Sequence, residues 1–154
     1  GASAQVMGVY SAHLVPIVAE AMALLGTRHA FVVHGHNDSV TTGMDEISIS
    51  GPTQIAEVQN GKVTLSTITP EDAGLPRAST SALMGGDAHT NAAILTAIFA
   101  GEPGPRRDIV LLNAAAVLVA SDLTPTLTAG VALAAKTIDS GAVTKLVASL
   151  ARSI

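Results

Sequence analysis

The chain has 154 residues, 48% of them apolar and only 13% charged, a balance that excludes disorder and fits one compact domain or the larger part of a two-part enzyme. A net charge of -4, from 8 Lys and Arg against 12 Asp and Glu, with scattered cations and a single Tyr and two Phe as the aromatic complement, argues against a nucleic-acid surface. There is no cysteine, so disulfides and thiolate metal sites are excluded, as suits the cytosol, and no apolar run approaches the roughly 20 residues of a membrane helix.

Ala4 to Val9 reads as a short strand. Ser11 is placed to cap a helix with Leu14, Ile17, Val18, Ala21, Leu24 and Leu25 at helical spacing, ended by Gly26. Arg28 to His34 contains Ala30-Phe31-Val32-Val33, the apolar run of a buried parallel strand, so the first 34 residues make a βαβ unit. His34 to Glu46 is a polar loop with Gly35 and Gly43, beyond the carboxyl end of that strand. Ligands bind there in open α/β sheets. The period then changes: Ile47-Ser48-Ile49-Ser50 alternates, and Thr53 to Gln59 and Lys62 to Ile68 form a hairpin around Asn60-Gly61. Val63 and Leu65 are expected on one face of its second strand, with Lys62, Thr64 and Ser66 on the other.

Thr69 and Asp72 resemble a capping box for one short turn. From Asp87 onward the pattern is helical, with helices from Asp87 or Thr90 to Phe99, Pro105 to about Ala120, Pro125 to about Asp139, and Ser140 to about Arg152. The expected fold is α/β. Its sheet is mixed and mainly parallel, carries an antiparallel hairpin excursion and is flanked by helices, and the C-terminal half is all helical.

The chemistry-bearing candidates are few. Asp45 and Glu46 are adjacent carboxylates ending a glycine-containing loop beyond a buried strand, and hard oxygen ligands of this kind suit Mg2+ bridging to phosphates. The same pair on its own is more often a solvated loop, and its position at the strand end is what favours a site. His34, His36 and Asp38 match no fixed zinc spacing. His13, His29 and His89 are isolated and read as solvent-facing. Gly85-Gly86-Asp87 precedes a helix, but Asp87 brings its own negative charge, which favours a cap over a phosphate cradle. Asn113 lies in an otherwise apolar helix and is expected to tie it to a neighbouring loop rather than to touch substrate. No Walker lysine, GxGxxG or GxSxG is present.

Taken in order, Gly1 to Tyr10, Val32-Val33-His34-Gly35, Met44-Asp45-Glu46-Ile47-Ser48 with Gly51-Pro52-Thr53, Ile68 to Leu75, Gly85-Gly86-Asp87 with Asn91-Ala92, Leu112-Asn113-Ala114-Ala115, and Ala134 to Gly141 resemble the anthranilate phosphoribosyltransferase family. The resemblance runs through the whole chain. It implies transfer of a phosphoribosyl group from phosphoribosyl pyrophosphate to anthranilate, with release of pyrophosphate, in tryptophan biosynthesis in the cytoplasm. It puts the family's Mg2+-binding Asp-Glu pair on Asp45 and Glu46, and it assigns no catalytic general base here.

The resemblance further implies that residues 1–154 are the C-terminal α/β domain, with a helical N-terminal domain and the first strands absent. The glycine-rich phosphoribosyl pyrophosphate loop would then lie upstream, the isolated chain would be inactive, and the full-length protein would be a homodimer. His36 to Gly43 is longer than the usual spacer of the family, which could shift the carboxylates or leave the loop mobile before substrate binds. The alternatives are a pyrimidine nucleoside phosphorylase-like domain and a non-catalytic binding module of the same fold.

Overall fold

The computed structural model describes residues 2–38 and 43–150. Strand β1 (Ala4–Gly8), helix α1 (Leu14–Leu24) and strand β2 (His29–His36) form the expected βαβ start. β1 and β2 are parallel, in register from Ala4–His29 to Gly8–Val33. β2 then pairs antiparallel with the two-residue β3 (Gly43–Met44) and with β4 (Thr53–Gln59), and β4 pairs antiparallel with β5 (Lys62–Ile68). The order is β1-β2-β4-β5, with β3 on the end of β2. The α/β class holds, and so does the mixed sheet. The sheet is not mainly parallel, because among the described residues only β1–β2 is a parallel pair. The hairpin that reads from sequence as an excursion supplies half of the four-strand path.

The hairpin turn is set by Asn60 and Gly61, both at positive φ (52° and 80°), which a two-residue type I′ turn requires. On its second strand, the outermost of the sheet, Val63 is half-buried and Leu65 is 61% exposed. At α1 the entry differs from the sequence reading. Ser11 makes no side-chain cap. Its carbonyl accepts the Leu14 amide, its hydroxyl meets His13 Nδ1 at 2.8 Å, and His13 is the capping position.

Each face of β2 is covered. Ala30 and Val32 pack with Val15, Ala19 and Met22 of α1 and with Ala56 and Val58 of β4. Phe31 and Val33 pack on the opposite face with Ile55 and with Ile109, Leu112 and Ala116 of α3 (Pro105–Ala120). Two-sided burial is why β2 reads as a continuous apolar run rather than an alternating one. Ile47 and Ile49 belong to this second core, but residues 47–50 are not a strand: all four are buried, so their alternation does not separate inside from outside.

After a 3-10 turn at Pro70–Ala73, which carries the Thr69–Asp72 capping box, and a second at Thr80–Leu83, the chain is helical. Helices α2 (Ala88–Phe99), α4 (Leu127–Asp139) and α5 (Ala142–Leu150) accompany α3. Ile98, Leu111, Ala134 and Ile138 form a third core joining α2, α3 and α4. The expected continuation of α5 to Arg152 falls partly outside the described residues. No helix among the described residues is long and apolar enough to cross a membrane.

Candidate functional site

Residues 44–48 form a strap across the carboxyl ends of the parallel pair. At Gly8, the last residue of β1, a Cβ would lie 1.5 Å from the carbonyl oxygen of Asp45; at Gly35, near the end of β2, it would lie 2.5 Å from that of Glu46. Both positions therefore demand glycine: the strap backbone occupies the space a side chain would need. Upstream, Met44 is held by its antiparallel pairing with Gly35. Downstream, the Asn113 carboxamide grips Ile47. Its Oδ1 accepts the Ile47 amide at 2.9 Å, and its Nδ2 donates to the Ile47 carbonyl at 2.9 Å and to the Ile109 carbonyl at 3.0 Å.

The strap thus places Asp45 and Glu46 where sequence reasoning expects them, beyond the strand ends. Both are exposed, and neither carboxylate has a hydrogen-bond or ion-pair partner among the described residues. Glu46 nevertheless lines a cleft of about 460 Å³ whose walls include Met44, Leu83, Met84, Ile94 and Ile109. Desolvation there raises the Glu46 carboxyl above its ordinary pKa, and the charge of Asp45 adds to the rise. Arg106, also on the cleft wall, braces it by donating Nη2 to the Met84 carbonyl at 2.6 Å.

The remaining candidates are structural. His34 is 5% exposed, and its Nδ1–H donates to the Val9 carbonyl at 2.8 Å, while Gly43 packs so closely that a Cβ there would meet the imidazole at 2.2 Å. Asp38 accepts the Thr80 amide at 3.0 Å. No group of three or more His, Cys, Asp or Glu among the described residues could hold a metal. At Gly85-Gly86-Asp87 the cap reading holds. Asp87 Oδ1 accepts the Thr90 amide at 2.8 Å, and Asn91 bonds both the N–H and C=O of Gly86 at 2.9 Å, leaving no open cradle at those groups.

His13 and His89 are exposed as expected, but His29 is not solvent-facing. It is 2% exposed, with Nε2 2.8 Å from Glu57 Oε1 and Nδ1 3.4 Å from Asp122 Oδ1, and Arg28 completes the group through Asp122. Being the first residue of β2, it lies diagonal to Glu57 of β4 on one face of the sheet, a long-range pairing that spacing along the chain does not reveal.

Residues 1–144 match the glycosyl transferase family, a/b domain. The chain belongs to that family. This glycosyl transferase domain is 51% identical over 140 residues to an anthranilate phosphoribosyltransferase of Symbiobacterium thermophilum, covering 91% of this chain and 40% of the relative. Among solved structures, anthranilate phosphoribosyltransferase from Thermus thermophilus superposes with a TM-score of 0.76 at 39% identity, over 87% of this chain and 38% of that one. The Saccharomyces cerevisiae enzyme in complex with PRPP and Mg gives 0.77 at 27% identity, over 90% and 39%. The chain therefore spans about 40% of the length of the relatives it matches. Within the glycosyl transferase domain, Gly8, Gly35 and the target of Asn113 are the site features that a sequence reading passes over. A glycine at the end of an apolar strand is the signal that could have found the first two.

Proposed function

We propose that this chain is the α/β part of an anthranilate phosphoribosyltransferase and that Asp45 and Glu46 are its metal-binding residues. The observation that carries the reading is the strap: two carboxylates, without partners among the described residues, held beyond the carboxyl ends of β1 and β2 by Gly8, Gly35 and Asn113. The donor set suits Mg2+. Two carboxylates without further protein ligands among the described residues leave positions for water and phosphate oxygens, as Mg2+ prefers, and fall short of a zinc site. The identity to named anthranilate phosphoribosyltransferases and the superposition on an enzyme holding PRPP and Mg support the substrates.

The reaction is a substitution at the ribose C1. The bond from C1 to the pyrophosphate oxygen breaks, a bond to the anthranilate nitrogen forms, and the amine gives up one proton to solvent or to the released pyrophosphate. Mg2+ held by Asp45 and Glu46 would supply charge neutralisation for the departing pyrophosphate. The residues of this chain orient: the strap fixes where the carboxylates stand, and Glu46 faces a largely apolar cleft in which charge acts more strongly. No side chain of this chain is assigned as general base, since a neutral aromatic amine is already nucleophilic.

As the C-terminal α/β domain of a longer enzyme, the chain alone is expected to show no turnover. A homodimer of the whole protein and a cytoplasmic location belong to the same reading. In the longer enzyme carrying this sequence, Asp45→Asn should raise the Mg2+ concentration giving half-maximal rate by about 10-fold or more, with the KM for anthranilate changing less. Unchanged metal dependence in steady-state kinetics would reject the pair. Phosphorolysis of a pyrimidine nucleoside in place of phosphoribosyl transfer would favour the phosphorylase alternative.

A further inference from the structure

We infer that Asn113 is the positioning residue of the Asp45–Glu46 pair, acting through the main chain of Ile47 and not by any contact with the reacting groups. The inference rests on the reading of that pair as the metal site.

Three observations carry it. The carboxylates themselves are held by nothing among the described residues, so their direction is inherited from their backbone. That backbone is confined from below, where the carbonyls of Asp45 and Glu46 rest on Gly8 and Gly35, and from upstream by the β3 pairing. Contact from below limits approach but does not prevent the strap from lifting or rotating. The Asn113 carboxamide supplies that missing restraint. It makes opposed hydrogen bonds, both at 2.9 Å, to the N–H and C=O of a single residue, which fixes the peptide planes on either side of Ile47. The plane on the upstream side is the one that joins Glu46 to Ile47. A third bond, from Nδ2 to the Ile109 carbonyl at 3.0 Å, orients the amide on its own helix. Asn113 is half-buried, and these three hydrogen bonds fix its carboxamide.

A purely structural asparagine would stabilise the fold and leave cation binding alone. A positioning asparagine would alter cation binding in a chain that remains folded. The probe is Mn2+, titrated with inorganic pyrophosphate into the 2H,15N-labelled longer enzyme carrying this sequence and read as paramagnetic broadening of amide signals from Met44 to Ser48, with circular dichroism as the fold control. In the wild type these signals should broaden selectively, and Asp45→Asn should abolish the selectivity.

Asn113→Ala should shift the half-broadening concentration upward by about 10-fold at an unchanged dichroism spectrum, and should move the Ile47 amide resonance as its acceptor is lost. Leu111→Val, which weakens the same helix from its other core, with Ile98, Ala134 and Ile138, should leave the Mn2+ response where it was. Should Asn113→Ala fail to fold, Asn113→Asp, which keeps the acceptor for the Ile47 amide but not the donor, takes its place with the same expected direction.

A wild-type response lost in Asp45→Asn but unchanged in a folded Asn113 variant overturns the positioning role and leaves the metal pair standing. An equal shift in Leu111→Val also overturns it, by showing that any loosening of the helix suffices. No selective broadening in the wild type removes the metal reading itself, and the inference with it.

Discussion

Arg77 holds Glu71 through two hydrogen bonds, Nε to Oε1 at 3.1 Å and Nη2 to Oε2 at 3.2 Å. These bonds to Arg77 are the main reason the Glu71 carboxyl falls from its ordinary 4.5 to about 2. A depressed folded pKa stabilises the fold above the unfolded value, and that contribution disappears as pH falls toward the folded one. Because the pair is exposed, its effect is small. Glu71→Gln should therefore lower the melting temperature slightly at neutral pH, and the gap to wild type should close between pH 4.5 and about pH 2. A gap that persists undiminished at the acid end of thermal melts would show that the pair is not its source. At this scale the sequence is legible where a residue bonds its close neighbours. The Thr69–Asp72 box and the Asp87 cap are short-range and read correctly. Asn113 reads correctly as the tie from its helix to a loop, though which loop does not, and the partners of His29 come from distant segments that composition and spacing do not reveal.

Helices α3 and α4 owe their closeness to Gly130, where a Cβ would stand 2.8 Å from Ala115 Cβ and 2.9 Å from its Cα. Alanine is the better helix former by about 1 kcal/mol, but forcing a methyl against backbone costs about 1–3 kcal/mol. Since the obstruction includes main-chain atoms, the second effect should win, and Gly130→Ala should lose about 1 kcal/mol in urea unfolding. A midpoint equal to wild type would mean that the helices part without cost. Element boundaries are the part of the fold that sequence conveys best. The Asn60-Gly61 hairpin and the helices opened by Asp87 and Pro105 stand where their turn and cap chemistry puts them. Residues 47–50 fail because alternation marks a strand only when one side meets water, and here both sides are covered.

Across the molecule, protection should follow the cores. β2 lies between β1 and β4 with side chains packed on both faces, whereas α5 buries no residue. Local opening is cheapest where little apolar surface is lost. Hydrogen exchange read by mass spectrometry should accordingly find peptides of β2 and β4 slowest and those of α5 fastest; a slow α5 would contradict this ordering. The sheet path is less legible than its strands, because strand order is decided by packing of distant segments and not by the period of any one of them. The grip on the strap has a last consequence for how such a domain can drift. On the strap Asn113 handles the peptide groups of position 47 and not its side chain, so the identity of the residue there answers to packing and not to chemistry. Substitutions can accumulate around the acids, and so retune the pocket they face, while a spine of one amide and two glycines keeps the pair on station.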